Sequence, residues 1–170
     1  MAARRPHRRW FTVRGGLVPA AVSAAVFAVI VLATGACSMT HKVRSAFGGM
    51  LPVQVTVAPD ANEDSPVAVD LVVLYDKKLL DELLKMPASQ WFTGKAQFLA
   101  DHGRQVGVQG WEWVPGQKVA PLSIDYKAGA KQVVLFADYH SVGEHRAVVQ
   151  PQQPFRLILA EREMTLEKIQ

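Results

Sequence analysis

The amino-acid sequence predicts a mainly β protein, a two-sheet antiparallel β-sandwich with a short helical insertion. After residue 51, apolar residues mostly alternate with polar ones over short stretches, which is typical of half-buried strands. Residues that favour turns, chiefly Gly and Pro, separate these stretches. Leucines recur at helical spacing in one region, which places the helical insertion at about 77–102.

The first 36 residues have the layout of an export signal. An arginine-rich start without acidic residues is followed by an apolar run over residues 17–33 and by small residues before Cys37. That order is typical of a cleavable secretory segment. Small residues directly before a cysteine resemble the lipobox of bacterial lipoproteins, where the thiol is acylated and becomes the new N-terminus. The alternative is an uncleaved signal anchor with an incidental cysteine.

Cys37 is the single cysteine of the chain, so no internal disulfide can form. One acyl chain binds a membrane only marginally, and a triacylated cysteine would provide the two or more chains that stable anchoring takes. Ser38 is not acidic, and a non-acidic residue there resembles the signal for outer-membrane sorting. The predicted location is therefore the outer membrane, lipid-anchored and facing the periplasm.

The predicted organisation has three parts. A lipoprotein signal peptide covers residues 1–36, an acylated N-terminus and tether cover 37–51, and the β-sandwich domain covers 52–170. Removal of the signal changes the charge balance. The whole chain has 19 basic and 15 acidic residues, and five of the basic residues precede Cys37, which leaves 14 basic against 15 acidic. We therefore expect no nucleic-acid partner.

The strands follow from alternation along the chain. Val53, Val55 and Val57 share one face of a first strand. The second strand, after Pro66, is apolar on both faces in its later half and is expected to be buried on both sides. Further strands are predicted at 106–114, 119–126, 132–140, 145–150, 155–160 and 164–169. The segment 132–140 is the most apolar of these and is expected at a sheet centre.

Two short helices are expected within the insertion. Asp76 is a good N-cap for a helix that carries Leu79 to Leu84 and that Pro87 ends. A second helix is predicted from Ser89 to Gly103, where glycine suits a left-handed cap. Its expected inward residues are Trp91, Phe92, Ala96 and Leu99.

The sequence predicts no enzyme, no catalytic residue and no metal site. The one histidine cluster, His140 to His145, lacks the spacing and the helix of a zinc hydrolase. A small hydrolase using His140, Glu144 and His145 is kept as an alternative. Asp138 is interpreted as a buried acid of perturbed pKa, as the cap of a turn, or as a partner of Arg146 across a hairpin.

The segment Trp111-Glu112-Trp113 places two indoles on one strand face. Such pairs usually pack in a core or at its rim, and they sometimes form a binding platform. The platform gives an alternative function, an envelope lipoprotein that binds a peptide, glycan or lipid through this face.

The order of features resembles TssJ, the outer-membrane lipoprotein of the type VI secretion system. The resemblance rests on the stretch Asn62 to Tyr75, the helical run with Phe92 and Leu99, the Pro115-Gly116 turn, and the strand Val134 to Tyr139 with a downstream Arg146. It implies a transthyretin-like sandwich with added helices. It also implies a structural, non-catalytic subunit whose one attached group is the lipid on Cys37.

The same resemblance implies partners. The family holds the periplasmic part of the inner-membrane protein TssM, and a TssL-like subunit is a further expected component. The partner-binding loop would comprise Asp60, Ala61, Asn62, Glu63, Asp64 and Ser65. Composition alone also fits an ordinary solvated turn at these positions.

Overall fold

The computed structural model describes residues 48–169, and the predicted signal peptide and Cys37 lie outside them. The strands within the described residues are β1 (Gly49–Val57), β2 (Val67–Leu74), β3 (Val106–Trp113), β4 (Leu122–Tyr126), β5 (Gln132–Asp138), β6 (Arg146–Val149), β7 (Phe155–Leu159) and β8 (Met164–Lys168). The helices between β2 and β3 are α1 (Lys78–Leu83) and α2 (Ala88–His102). Each predicted strand and both predicted helices are present.

The strands form two four-stranded sheets, with orders β4-β1-β7-β8 and β3-β2-β5-β6. This confirms the predicted sandwich and places β5 in the interior of its sheet. One pair departs from the antiparallel prediction, because β1 and β7 run parallel, from Val53 opposite Phe155 to Val57 opposite Leu159. The chain changes sheets between β6 and β7, so β7 enters its sheet at the same end as β1 does.

The main core lies between the two sheets. Its fully buried side chains include Leu51, Leu71, Ile124, Leu135 and Phe155. Full burial of each such side chain contributes about 1.5–3 kcal/mol to folding. The alternating apolar positions that predicted the strands are the positions that fill this core.

A second apolar layer covers the outer face of β2 and β5. Val72 and Phe136 project from the sheet, and Leu83, Trp91 and Phe98 cover them from the helices. The Trp91 indole stacks on the Phe136 ring at 4.9 Å between centroids. The helical insertion therefore confirms the prediction that β2 is buried on both sides.

The helix ends agree with the sequence in part. The Asp76 carboxylate accepts a hydrogen bond from the Lys78 N–H at 3.0 Å, as expected of a cap. On α2, Ala96 is exposed and Phe98 is buried in its place, because Phe98 lies two turns after Trp91 on the same face. The left-handed cap at Gly103 was a wrong prediction, since its φ is −57°. Glycine is nevertheless required there, because a Cβ would meet the Leu99 carbonyl oxygen at 2.6 Å.

Strand β1 begins inside the segment that was predicted to be tether. Gly49 and Met50 already pair with Tyr126 and Asp125 of β4. A Cβ at Gly48 would meet the Tyr126 carbonyl oxygen at 2.8 Å, and a Cβ at Gly49 would meet the Tyr126 hydroxyl at 2.8 Å. The two glycines thus serve close packing on Tyr126, and the boundary at residue 51 was predicted too late.

The strand directions give the sandwich two distinct ends. Four loops meet at one end, which we call the loop end: 58–66, 114–121, 139–145 and 160–163. At the opposite end, which we call the base, the chain enters β1 through Gly48 and the connections 75–77, 103–105, 127–131 and 150–154 lie. Within residues 48–169, no helix combines the length and the apolar character needed to cross a membrane.

Candidate functional site at the loop end

The loop between β1 and β2 contains a left-handed turn. Asn62, Glu63 and Asp64 have φ values of 50°, 55° and 62°. Residues with side chains rarely adopt this conformation, and Asn and Asp tolerate it best. Three such residues in succession reverse the chain tightly between the two sheets. The sequence predicted a polar connection here and gave no sign of its handedness.

Asn62 holds this turn to its neighbours. Its side chain is 1 % exposed, its Nδ2 donates to the Pro66 carbonyl at 2.8 Å, and its Oδ1 accepts from the His140 N–H at 2.7 Å. The backbone N–H of Asn62 donates to the Ala160 carbonyl at 3.2 Å. One buried side chain and its own backbone therefore join three of the four loops.

The predicted partner-binding residues divide into two groups. Ala61 and Asn62 are buried in the free chain, so of the six predicted residues these two present almost no side-chain surface. Asp60, Glu63 and Asp64 are exposed and Ser65 is half-buried. The Glu63 carboxylate lies 3.2 Å from Nη2 of Arg162, which links this loop to the β7–β8 connection.

The loop 139–145 is anchored by Tyr139. The Tyr139 hydroxyl donates to the Glu163 carbonyl at 2.9 Å, and its ring stacks on His145 at 4.8 Å between centroids. Burial raises the pKa of the Tyr139 hydroxyl well above its ordinary value, so this donor stays protonated at neutral pH. At the tip of the loop the side chain of Val142 is fully exposed.

The acid and histidines near this loop have separate structural partners. Glu144 forms an ion pair with Arg146, and Arg146 also donates to the Met86 carbonyl at 3.1 Å. His145 Nε2 lies 2.8 Å from the Ser141 carbonyl oxygen. His140 is exposed. The predicted pairing of Asp138 with Arg146 is wrong. Asp138 is exposed, and the residue directly across the hairpin from Arg146 is Phe136. Across residues 48–169, no three His, Cys, Asp or Glu side chains are placed to hold a metal.

The two indoles of β3 face the sandwich core. Trp113 is 5 % exposed and belongs to the main core, and Trp111 packs partly buried against it. The two rings stack on each other at 5.7 Å. Their shared face is therefore occupied by the protein itself, which removes the basis for a binding platform there.

A buried acid that the sequence did not single out lies under α2. Asp70 is 2 % exposed, and its Oδ2 accepts from Trp91 Nε1 at 2.8 Å and from Lys95 Nζ at 2.7 Å. On the neighbouring strand, a Cβ at Gly110 would meet Asp70 Oδ1 at 2.5 Å. The sequence did contain a signal for this contact. Asp70 is the one acid in the apolar run of β2, and Trp91 and Lys95 lie one helical turn apart on α2.

Solved structures with a similar fold are known for this architecture. No protein-family model matches the sequence, and no curated protein matches it either. The structure of the type VI secretion lipoprotein TssJ1 from Pseudomonas aeruginosa is similar, with a TM-score of 0.55 and 13 % identity over 72 % of this chain and 98 % of that one.

Two further solved structures show the same similarity. Serratia marcescens Lip, described as a membrane-bound component of the type VI secretion system, has a TM-score of 0.53 and 10 % identity over 72 % of this chain and 98 % of its own. A chain of a type VI membrane complex has a TM-score of 0.52 and 18 % identity over 70 % and 98 %. The resemblance to TssJ is confirmed at the level of the fold.

Proposed function

We propose that this chain is an outer-membrane-anchored lipoprotein that serves as a structural subunit of a type VI secretion membrane complex. The observation that carries the proposal is the fold, which matches 98 % of the length of the solved TssJ1 and Lip chains. The same similarity covers 72 % of this chain. The export signal and the cysteine at its end add the anchor that a lipoprotein of this kind needs.

The point where the chain enters the domain, Gly48 in the base, and the loop end lie at opposite ends of the domain. Ten residues, 38–47, separate Cys37 from Gly48, where the chain enters the base. A chain of that length spans at most about 35 Å, so a lipid on Cys37 limits how far Gly48 lies from the membrane. In the proposed arrangement the four loops face into the periplasm, because they lie at the end of the domain opposite the chain entry.

The loop end is the proposed binding surface for the periplasmic part of a TssM-like inner-membrane protein, with a TssL-like subunit in the same complex. Asp60, Glu63 and Asp64 project from the left-handed turn, and Val142 projects from the neighbouring loop. Asn62 holds both loops in one arrangement. Pre-ordered loops lose little conformational entropy on binding, which favours a stable mechanical contact. No catalytic step is part of this role.

Replacing Cys37 with serine tests the anchor. The Cys37→Ser chain is expected to fold normally but to be lost from the outer-membrane fraction, because the acyl chains supply the membrane affinity. Cell fractionation with immunodetection measures the location, and the intact mass of the wild-type protein shows whether Cys37 carries the lipid. A Cys37→Ser chain that remained in the outer membrane would contradict the lipid anchor.

Charge and polarity changes at the loop end test the partner. We expect the Asp60→Arg and Val142→Asp pair of substitutions to reduce recovery of the TssM-like subunit with an affinity-tagged chain by about tenfold, the equivalent of about 1.4 kcal/mol of binding energy. Both residues are exposed, so folding should be unaffected. Ser123→Arg, at an exposed position on β4, is the matched control. Equal recovery of the TssM-like subunit with the wild-type chain, the double variant and the Ser123→Arg control would place the binding surface elsewhere.

A further inference from the structure

The base of the sandwich is basic. Its connections 75–77, 103–105, 127–131 and 150–154 contain four basic residues and one acidic residue. The four basic residues are Lys77, Arg104, Lys127 and Lys131. The loops of the opposite end contain six acidic and two basic residues. The near-neutral mature chain is therefore a dipole whose positive end is the end that the N-terminal segment enters.

The basic connections form one continuous surface. The Tyr75 N–H donates to the Gln105 carbonyl at 2.8 Å, and the Lys131 N–H donates to the Leu74 carbonyl at 2.7 Å. The Lys127 N–H donates to the Tyr75 hydroxyl at 3.0 Å. Lys127 also adjoins Gly48, because a Cβ there would lie 3.2 Å from the Lys127 carbonyl carbon. The positive charges are thus carried on backbone that is fixed around the point of chain entry.

The four side chains are available to an external anion. All four are exposed, and none of them takes part in the ion pairs found among residues 48–169. The one acid of these connections, Asp76, already caps α1 by accepting the Lys78 N–H. Lys78 and Lys168 flank the same surface, against the acids Asp101, Asp125 and Glu167 at the adjoining ends of α2, β4 and β8.

The sequence before the base continues the same character. Residues 38–47 contain Lys42 and Arg44 and no acid. Met50, at the start of β1, is 66 % exposed, so an apolar side chain also projects beside the entry point. Basic residues next to a membrane anchor are attracted to anionic lipid, and a nearby apolar side chain can enter the interface.

We propose that the base is a membrane-contact surface that binds the headgroups of anionic phospholipids in the leaflet that holds the anchor. The proposal rests on the membrane anchoring of the proposed function. Binding through Lys77, Arg104, Lys127 and Lys131 sets the tilt of the domain as well as its distance from the membrane. The acidic loop end is held outward as a result, since anionic headgroups repel it.

Headgroup quenching on the anchored chain tests the orientation. With Cys37 acylated, a new cysteine is the one free thiol, so a fluorophore can be placed at Ala128→Cys in the base or at Val142→Cys at the loop end. Both positions are exposed. The labelled protein is reconstituted in vesicles that carry nitroxide on the headgroup, made of phosphatidylcholine alone or with about a third of phosphatidylglycerol.

We expect quenching at position 128 to be at least about twofold greater in the anionic vesicles than in the neutral ones, and to fall to the neutral value at about 0.5 M salt, where the charges are screened. The Lys77→Gln, Arg104→Gln, Lys127→Gln and Lys131→Gln combination should remove the difference. The label at 142 should be weakly quenched in both vesicles. Quenching at 128 that is independent of lipid charge, or equal to that at 142, would overturn the proposal.

Failure of the proposed function is distinguishable from failure of this surface. An unmodified Cys37, seen by mass, would count against the lipid anchor alone. In that outcome the uncleaved signal anchor is the remaining attachment, so the same quenching measurement on a Cys37→Ser chain that retains its apolar segment 17–33 would decide whether the base contacts the lipid. Loss of TssM-like recovery leaves the vesicle result unchanged, because no secretion subunit is present in it.

Discussion

Replacing Lys95 with methionine is expected to lower the free energy of unfolding by about 3 kcal/mol, although the lysine side chain is partly exposed. The reason lies with its partner. The side chain of Asp70 is 3 % exposed while that of Lys95 is 36 % exposed. Without the ammonium group, a buried carboxylate keeps only the Trp91 N–H as a hydrogen-bond donor from α2. An uncompensated buried charge costs far more than an exposed one.

Substitution of the acidic partner should lower the free energy of unfolding by less. Asp70→Asn is expected to lower the free energy of unfolding by about 1–2 kcal/mol, because the amide oxygen still accepts from Trp91 and no charge remains buried. Lys95 can then extend into water. The double variant Asp70→Asn with Lys95→Met should therefore be more stable than Lys95→Met alone, which is a direct sign of coupling between the two sites.

Urea unfolding followed by the near-ultraviolet circular dichroism of the aromatic residues measures these changes, since Trp91 contacts both Asp70 and Phe136. Lys85→Met is the matched control, an exposed lysine on the same helical layer. It should change the free energy of unfolding by less than about 0.5 kcal/mol. A Lys95→Met variant as stable as this control would show that the ion pair does not fasten α2 to the sheet.

The strands could be predicted from sequence because their signals are local. Alternation in Val53, Val55 and Val57 reports burial at every second residue, and it holds whichever strand lies beside them. The strand neighbours are set elsewhere. The parallel pairing of β1 with β7 joins residues about a hundred positions apart, and no feature of either segment reports the other.

The polar contacts at the loop end and under α2 could not be predicted from the sequence for the same reason. Asp70 and Lys95 are 25 residues apart, and Asn62 and the backbone of His140 are 78 apart. A buried Asn or Asp looks like a solvated residue until its partners are placed. The glycines before β1 were misinterpreted similarly, because the Tyr126 ring and backbone that exclude a Cβ belong to a distant strand.

Replacing Asn62 with alanine is expected to lower the free energy of unfolding by about 3 kcal/mol and to loosen the loop end. The His140 N–H and the Pro66 carbonyl both lose their side-chain partner at partly buried hydrogen bonds, at about 1 kcal/mol for each. Alanine must also adopt a φ of 50°, which lowers the free energy of unfolding by about a further 1 kcal/mol.

Asn62→Gly separates the two causes. Glycine accepts the left-handed conformation freely but provides no side chain, so it should be about 1 kcal/mol more stable than Asn62→Ala while losing the same hydrogen bonds. In both variants the amides of the loop 139–145 should exchange with deuterium faster, and those of the turn 127–131 at the base should not change. Equal stability of the two variants would show that the backbone conformation carries no cost. Unchanged exchange in the loop would show that Asn62 does not join the loops into one surface, and the partner contact would then have to rely on each loop separately.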